Sequence, residues 1–166
     1  MIIIVEGLDG VGKTTFCNKF VDEFDWEYVK GTMPRNFDEK IEVLKKLLEQ
    51  VASEENYIYD RIPLIDDFVY HFLDGATSDL DEIFPIIKLV LSKCLIIHLT
   101  VPENVRKQRF DSRGDEYVLN EQMPMIMDNY LQFYSKLECP IILYPLSDNL
   151  DNDIIKINKI VESALW

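Results

Sequence analysis

The sequence lacks a long hydrophobic run and an excess of positive charge. Its longest apolar runs, Met1–Val5 and Cys94–Leu99, fall far short of the ~20 residues that a membrane-spanning helix needs. Lysine and arginine together number 17 against 30 aspartates and glutamates, which gives a formal net charge of −13. A surface of that charge repels phosphate polymers at long range. We therefore expect neither a membrane span nor a nucleic-acid polymer as a partner.

Cysteine and histidine are also scarce. The three cysteines, Cys17, Cys94 and Cys139, are widely spaced without a C-x-x-C pair, which predicts buried, reduced thiols. The two histidines have no second histidine or cysteine at ligand spacing, so a zinc site is not expected. Glu6 and Gly7 interrupt the first apolar run, unlike the longer apolar stretch of a signal peptide. These absences together predict a cytoplasmic protein.

The sequence does contain strand-length apolar segments that alternate with segments of helical period. With 166 residues, 48% of them hydrophobic, we expect one α/β domain spanning residues 1–166. The predicted strands are Met1–Val5, Trp26–Lys30, Tyr57–Asp60, Cys94–Leu99 and Ile141–Tyr144. The predicted helices are Lys13–Phe24, one through Ile41–Val51, Leu64–Leu73, one from Ser78 to Ser92, Val105–Arg113, Leu119–Leu137 and one through Ile154–Leu165. This order predicts a parallel sheet with helices on both faces.

A phosphate-binding motif lies between the first predicted strand and the first predicted helix. Residues Gly7–Thr14 match G-x-x-x-x-G-K-[ST], in which backbone N–H groups and the helix N-terminus surround phosphate oxygens. Lys13 would place a positive charge at the β and γ phosphates, and the Thr14 hydroxyl would ligate Mg²⁺. The loop predicts binding of a nucleotide phosphate and leaves kinase, NTPase and GTPase open.

Asp60 and Arg61 form a second charged feature, directly after the third predicted strand. This is the carboxyl edge, where parallel α/β sheets bind their ligands. Asp60 could hold Mg²⁺ through water, and Arg61 could bind an acceptor phosphate through two hydrogen bonds. The plainer alternative is a surface ion pair.

Arg106, Arg109 and Arg113 form a third feature, since their spacing of three and four places them on one helix face. In so acidic a chain, we expect this face to belong to a mobile lid, about residues 106–118, that closes on phosphates. The alternative is a solvated helix face.

These features together resemble the thymidylate kinase family of P-loop nucleoside monophosphate kinases. The residues that carry the resemblance are Glu6–Thr15, Asp60-Arg61, the three arginines, Asp115-Glu116-Tyr117 and, more weakly, Leu99–Glu103. The resemblance implies a P-loop NTPase-type three-layer sandwich, with a five-stranded parallel sheet and a helical lid. It further implies ATP and Mg²⁺, a pyrimidine deoxynucleotide acceptor and a homodimer. The compact size resembles a viral or phage version.

The resemblance also implies roles for individual residues. Those implied to bind ATP are Gly7, Asp9, Gly10, Val11, Gly12, Lys13, Thr14, Thr15 and Arg106. Those implied to bind the acceptor are Asp9, Lys30, Arg35, Arg61 and Tyr117, and a resemblance to the deoxynucleoside kinases adds Asp66 and Tyr70. Those implied to act in phosphoryl transfer are Lys13, Arg61, Arg109 and Arg113, with Thr14 and Asp60 at Mg²⁺. Some relatives carry a catalytic arginine inside the phosphate loop, so here the lid must supply it.

The segment after the second predicted strand departs from the family pattern. Where the family has Arg-Glu-Pro, this chain has Lys30–Arg35, so either Lys30 or Arg35 would contact the acceptor phosphate. Between Arg35 and Tyr57 there is room for one helix, whereas the family commonly has two, one of which contacts the thymine. The preferred base is therefore left open.

The segment after the third strand also resembles the deoxynucleoside kinases, through Asp60, Arg61, Asp66, Val69 and Tyr70. A nucleoside acceptor needs a carboxylate that takes the proton of the 5′-hydroxyl, for which Glu6 or Asp9 is a candidate. A monophosphate is already a nucleophile and needs cations instead, as the lid arginines and Arg61 would supply. We therefore expect an ATP-dependent kinase of dTMP or dUMP. A deoxynucleoside kinase is the alternative, and a non-catalytic nucleotide-binding module is the third hypothesis.

Several other residues have structural explanations. Phe68, Tyr70 and Phe72 could stack on a base or belong to the core. We expect His98 to be a strand histidine with a satisfied hydrogen bond. The acidic stretch Asp148–Asp153 is most simply a solvated loop and helix N-terminus.

Overall fold

The computed structural model describes residues 1–34, 36–70, 80–113 and 120–164. These ranges contain five strands, β1 Ile2–Glu6, β2 Glu27–Lys30, β3 Tyr57–Asp60, β4 Cys94–Thr100 and β5 Ile141–Pro145. The same ranges contain seven α-helices, α1 Lys13–Glu23, α2 Phe37–Val51, α3 Pro63–Tyr70, α4 Phe84–Leu91, α5 Glu103–Arg113, α6 Met123–Tyr134 and α7 Leu150–Ala164. Strands and helices alternate in the predicted order.

The five strands form one parallel sheet in the order β2-β3-β1-β4-β5. In its register, Val5 of β1 lies beside Asp60 of β3 and beside Ile97 of β4. The three central strands therefore end at one edge, where the loops that follow them meet. The predicted α/β fold with a five-stranded parallel sheet is confirmed.

Helices cover both faces of this sheet. Along β1, Ile2 and Ile4 belong to one apolar cluster, and Ile3 and Val5 to another, because successive strand residues point to opposite faces. Helices α2, α3, α4 and α6 pack in the first cluster, and α1 and α7 pack in the second. A strand that is buried on both faces needs a continuous apolar run, which is the pattern found here. The predicted three layers are confirmed.

Three helices differ from their predicted bounds by more than one residue. Helix α4 covers only Phe84–Leu91 of the predicted residues 78–92, because a 3₁₀ turn over Asp81–Ile83 precedes it. Helix α5 begins at Glu103, two residues early, directly after Pro102. Helix α6 covers only Met123–Tyr134 of the predicted residues 119–137, because a 3₁₀ turn over Asn120–Gln122 precedes it. Pro124 occupies the first turn of α6, where its missing N–H costs no hydrogen bond. Beyond Tyr134 the chain continues as a tighter i→i+3 turn.

Some predictions fall outside the described residues. They concern Arg35, Phe72, Ser78 and the lid residues 114–118, together with the end of the third predicted helix. None of the helices in the described ranges has the length and apolarity needed to cross a membrane.

The cysteines and aromatic residues of the described chain are mostly packed in the core. Cys17 and Cys94 are buried free thiols, and Cys139 is half-buried and free. The Phe68 ring lies 5.2 Å from the Phe84 ring and 5.2 Å from the Phe133 ring, so Phe68 belongs to the core.

His98 of β4 is completely buried beside α6. Its Nδ1 lies 2.9 Å from the Tyr134 hydroxyl, whereas its Nε2 has no hydrogen-bond partner among the described residues. The prediction of a satisfied histidine is therefore right for one ring nitrogen and wrong for the other.

Candidate active site

Three loops meet at the carboxyl edge of the sheet. The phosphate loop follows β1, Gly31 follows β2, and Arg61 follows β3. They enclose a pocket of about 140 Å³ lined by Asp9, Gly10, Gly12, Lys13, Thr14, Lys30, Gly31, Asp60 and Arg61. All of these except Gly31 are among the site residues that the sequence predicts. The fold thus brings residues from three distant segments into one pocket.

Two glycines allow the phosphate loop to pack closely against its neighbours. Gly7 has φ 138° and Gly10 has φ 86°, in a region that other residues rarely adopt. A Cβ at Gly10 would lie 2.9 Å from the carbonyl oxygen of Arg106, and one at Gly7 would lie 2.5 Å from that of Leu99. The loop is therefore held against both β4 and α5.

Lys13 is buried at the start of α1, and its ammonium group is held by the loop itself. Lys13 Nζ donates to the carbonyl oxygens of Gly7 at 2.7 Å and Leu8 at 2.9 Å, and it lies 3.9 Å from Asp9 Oδ1. Burial, and then the positive charge of Arg61, lowers the pKa of Lys13 to about 8. A phosphate at the loop would give this ammonium group an anionic partner.

Thr14 and Asp60 lie together at the base of the pocket. Thr14 Oγ1 donates to Asp60 Oδ2 at 2.6 Å, and the Tyr28 hydroxyl donates to the same oxygen at 3.0 Å. A hydroxyl and a carboxylate are the hard oxygen ligands that Mg²⁺ takes together with water and substrate phosphates. The donor set of Thr14 and Asp60 therefore fits this metal.

Tyr28 is a residue of this site that the sequence analysis misses. It comes from β2, whose register places Lys30 beside Asp60. Burial, and then the charge of Asp60, raises the pKa of Tyr28 above its usual value, so the phenol stays a hydrogen-bond donor. The sequence contains one signal for this role, since Tyr28 lies two positions before the end of β2. The paired strands β2 and β3 end together, so a long side chain near the end of β2 can reach Asp60 at the end of β3.

Arg61 has an unusual backbone conformation and a fully engaged side chain. Its φ of 69° lies in the left-handed region, which is uncommon for residues other than glycine. Its guanidinium group pairs with Asp9, donates to Asp66 Oδ1 at 3.1 Å, and lies 5.7 Å from the centre of the Tyr70 ring. The structure therefore brings together the predicted acceptor residues Asp9, Arg61, Asp66 and Tyr70.

Glu6 lies below this cluster and has no exposed surface. Its Oε1 accepts the backbone N–H of Ile62 at 3.0 Å, and its Oε2 accepts the Tyr130 hydroxyl at 3.1 Å. Burial, and then the charge of Asp66, raises the pKa of Glu6 to about 8. A buried carboxyl with both oxygens engaged does not meet a substrate hydroxyl, so the expectation of Glu6 as a general base is wrong. Asp9, which lines the pocket, is the remaining carboxylate of that prediction.

Two of the predicted arginines, Arg106 and Arg109, lie beside the phosphate loop in different surroundings. Arg109 Nη1 donates to the carbonyl oxygen of Val11 in the phosphate loop at 3.2 Å. Arg106 is buried and lines an apolar cavity of about 280 Å³ between the loop, β4 and α6. Arg113 ends α5, and its side chain lies outside the described part of the chain. Arg109 therefore donates a hydrogen bond to the loop, and Arg106 packs closely against Gly10 of the same loop.

A second pocket of about 240 Å³ adjoins the phosphate loop on the α7 side. It is lined by Val11, Gly12, Thr15, Arg109, Leu146, Ser147, Asp148 and Leu150. Asp153 fixes the segment after β5, because its Oδ2 accepts Ser147 N at 2.7 Å and Ser147 Oγ at 2.9 Å. Asp153 is 1% exposed, so the expectation of a wholly solvated acidic stretch is wrong at this residue.

The remaining predicted acceptor residues are divided between the described and undescribed parts of the chain. Lys30 lines the phosphate pocket. Arg35 and Tyr117 lie outside the described residues.

Comparisons with known proteins agree with this architecture. No family model matches the chain. The SPbeta prophage-derived protein YorR of Bacillus subtilis (strain 168) is 27% identical over 136 residues, which cover 81% of this chain and 82% of YorR. The crystal structure of YorR in complex with phosphorylated GDP has a TM-score of 0.73 at 23% identity, covering 98% of this chain and 96% of YorR.

Two solved kinases have similar folds. Deoxyadenosine kinase from M. mycoides with bound dATP has a TM-score of 0.67 at 22% identity, covering 98% of this chain and all of the kinase chain (100%). Thymidylate kinase from Candida albicans has a TM-score of 0.63 at 15% identity, covering 98% of this chain and 91% of the other. The chain therefore has the P-loop fold found in nucleoside and nucleotide kinases. The predicted family resemblance is confirmed at the level of the fold, on which both acceptor classes occur.

Proposed function

We propose that this protein transfers the γ-phosphoryl group of ATP, with Mg²⁺, to a pyrimidine deoxynucleoside monophosphate, dTMP or dUMP, giving the diphosphate. The observation that carries the proposal is the convergence of the phosphate loop, the Thr14–Asp60 pair and Arg61 on one pocket. The fold, which occurs in both nucleoside and nucleotide kinases, supports phosphoryl transfer as the type of reaction.

The donor nucleotide would lie across the phosphate loop. Its phosphates would replace the carbonyl groups that now hold Lys13, and its base would enter the pocket between Arg109 and Ser147. Thr14 and Asp60 would hold Mg²⁺, which supplies positive charge to the phosphates when bound. Arg109 would add a second cation beside the loop, and Arg113 is proposed to act with it.

The charges around the pocket favour a monophosphate acceptor. Lys13, Lys30 and Arg61 line it together with two carboxylates, Asp9 and Asp60. Asp60 is engaged by Thr14 and Tyr28, so it is poorly placed to take a proton from a hydroxyl group. An acceptor phosphate is already an anion at neutral pH, and it needs cations such as Arg61 and Lys30 to hold it in line for attack.

The choice of a pyrimidine is supported by the sequence motifs. The run Glu6–Thr15 and the pair Asp60-Arg61 resemble the thymidylate kinase family, and a fungal thymidylate kinase has the same fold. One helix, α2, lies between β2 and β3, where that family commonly has two. We propose that this shorter segment relaxes base selection, so that dUMP is accepted beside dTMP.

The test is ADP release from Mg·ATP across a panel of deoxynucleosides and their monophosphates. We expect activity with dTMP or dUMP and none with thymidine, and we expect Lys13→Ala to lower the rate at least about 100-fold. Activity with free nucleosides alone would reject the monophosphate acceptor. ATP binding without transfer to any acceptor would reject an enzymatic function and favour a non-catalytic module.

A deoxynucleoside kinase is the second candidate function. The observation that favours it is the cluster of Arg61, Asp66 and Tyr70, which lies where the deoxynucleoside kinase pattern has its acid, arginine and aromatic residues. The deoxyadenosine kinase structure matches 98% of this chain, the same share as the thymidylate kinase structure. In that case Asp9 would act as the general base. Loss of nucleoside phosphorylation in Asp9→Asn, with ATP binding retained, would support it.

We also propose that the chain works as a homodimer in the cytoplasm and folds as one domain. Ile86 and Leu89 of α4 are 48% and 65% exposed, which gives this helix an apolar outer face. Burying such a face against a second copy would remove apolar surface from water. The three free cysteines suit a reducing compartment.

A further inference from the structure

A closed ring of contacts connects the first strand, Arg61 and α6. Glu6 accepts the N–H of Ile62, the residue directly after Arg61. The Arg61 guanidinium group donates to Asp66, Asp66 Oδ1 lies 3.4 Å from the Tyr130 hydroxyl, and that hydroxyl donates back to Glu6. The ring therefore contacts Arg61 from its backbone side and from its side-chain side.

The backbone side of the ring holds a conformation that Arg61 would not keep alone. A left-handed non-glycine residue costs of order 1–3 kcal/mol and persists only where its surroundings fix it. Here the N–H of Arg61 donates to the carbonyl oxygen of Val5 at 3.1 Å, and the next N–H donates to Glu6 at 3.0 Å. The end of β1 thus anchors both peptide groups that flank the Arg61 Cα.

The side-chain side of the ring sets the direction of the guanidinium group. Asp66 is almost completely buried and accepts from Arg61 Nη1 at 3.1 Å. The single hydroxyl proton of Tyr130 faces two carboxyl groups, Glu6 and Asp66, so both contacts are hydrogen bonds only when one carboxyl carries a proton. Burial raises the pKa of both carboxyl groups, in keeping with one shared proton.

We propose that Glu6 is a positioning residue that holds Arg61 in the geometry needed for the acceptor phosphate, and that Tyr130 completes this support from α6. The inference rests on the proposed function, because Arg61 is assigned there to the acceptor. Glu6 does not touch the acceptor and acts through Ile62 N and Tyr130. A displacement of about 1 Å in a substrate-positioning group can cost ~100-fold in rate, so the effect of this support is measurable.

Two substitutions of Glu6 separate positioning from packing. Glu6→Met keeps the volume and removes both acceptors, whereas Glu6→Gln keeps an oxygen for Ile62 N and gives Tyr130 an N–H partner. We expect Glu6→Met to lower kcat/KM for the acceptor at least about 10-fold, with KM for Mg·ATP within about twofold of the wild type. We expect kcat/KM for the acceptor in Glu6→Gln to lie within about threefold of the wild-type value.

A matched pair on α6 covers the case in which Glu6→Met does not fold. Tyr130→Phe removes the hydroxyl inside the ring, and Tyr134→Phe removes a buried hydroxyl that contacts His98 outside it. We expect Tyr130→Phe to raise KM for the acceptor and Tyr134→Phe to leave it unchanged. The positioning role would be overturned if Glu6→Met lost kcat/KM equally for the acceptor and for Mg·ATP. A lower melting temperature with unchanged kinetic constants would also overturn it.

A readout without turnover distinguishes failure of this inference from failure of the proposed function. The Arg61 Nη–H signals in ¹⁵N NMR, assigned with Arg61→Lys, report how firmly the guanidinium group is held, because Nη1 and Nη2 contact Asp66 and Asp9. We expect slow exchange with water in the wild type and in Glu6→Gln, and fast exchange in Glu6→Met. Equal exchange rates in all three proteins would reject the role of Glu6 whatever the acceptor proves to be. Absence of activity in a wild type with the expected exchange pattern would reject only the kinase proposal.

Discussion

Asp60 and Asp66 each use one carboxylate oxygen for two partners. Asp60 Oδ2 accepts from Thr14 and Tyr28, and Asp66 Oδ1 contacts Arg61 and Tyr130. Such shared acceptors fix a carboxylate more firmly than one hydrogen bond does, and they link residues that are far apart in the chain. The effect of changing one of these side chains therefore depends on its partners.

At the Mg²⁺ position, this sharing predicts an effect of Tyr28. Tyr28→Phe removes one of the two donors to Asp60, and we expect it to weaken Mg²⁺ binding about 10-fold, since such outer partners typically contribute 10–100-fold. Asp60→Asn should weaken it further, because the ligand charge is lost. Binding of Mn²⁺ in place of Mg²⁺, followed by electron paramagnetic resonance, measures both effects. Tyr57→Phe is the control, because it removes a tyrosine hydroxyl that contacts Glu55 at the exposed surface. An equal loss of metal affinity in this variant would contradict the prediction.

His98 predicts how stability depends on pH. Burial, and then the positive charges of Lys13 and Arg61, lowers the pKa of His98 from 6.5 to about 4. Between these values the unfolded chain binds a proton that the folded protein does not, so stability falls as the pH drops from 6.5 to 4. The shift in the pKa of His98 corresponds to a loss of about 3 kcal/mol in the free energy of unfolding.

Urea unfolding of the wild type and His98→Gln between pH 7 and pH 4 tests this assignment. We expect the difference in unfolding free energy between the two proteins to change over this range, with the wild type losing more stability. Other titrating groups are common to both proteins, so their contribution cancels. Parallel curves would show that His98 does not carry the acid sensitivity.

At the scale of elements, α5 acts through its contact with the phosphate loop. The predicted helix Val105–Arg113 is present and begins two residues earlier, at Glu103, yet its Arg106 and Arg109 have different surroundings. Arg106 packs below the loop, where a Cβ at Gly10 would meet its carbonyl oxygen, and Arg109 reaches the carbonyl oxygen of Val11. Spacing determines which residues share a helix face, and the helix's position against the loop determines what each of them contacts.

The position of α5 predicts that Arg109 acts on the donor side. Arg109→Ala should lower kcat/KM for Mg·ATP about 100-fold, because a cation beside the loop is lost, and it should change acceptor affinity little. Lys107→Ala is the matched control on the same helix, since Lys107 pairs with Glu103 on the exposed surface at 2.8 Å. Steady-state kinetics with each substrate varied in turn measures the effect. A similar loss in both variants would instead indicate a general effect of charge on α5.

At the scale of the whole molecule, the exposed face of α4 predicts the oligomeric state. The chain carries a net charge of −13, so association has to overcome repulsion between copies. Leu89 offers the most exposed large apolar side chain of the described residues, at 65%. We expect the wild type to have twice the chain mass of 19.5 kDa and Leu89→Glu to be monomeric. Light scattering after gel filtration measures this, with Ile155→Glu on α7 as the control, and a monomeric wild type would remove the dimer from the proposal.

The sequence by itself determined the strand order along the chain, the phosphate loop and the place of Asp60 and Arg61. Each of these depends on neighbouring residues, because a buried strand, a glycine turn and a strand end are local patterns. It also determined that one helix lies between β2 and β3, since the segment has no room for a second.

Only the tertiary structure decided which distant side chains complete the site. Tyr28 joins Asp60 through the register of β2 and β3, and Tyr130 reaches Glu6 across 124 positions of the chain. The segment after β5 lines one pocket with Arg109, because α5 and α7 both lie beside the phosphate loop. No local periodicity encodes these contacts, because they depend on how the sheet register and the helix positions bring separate segments together.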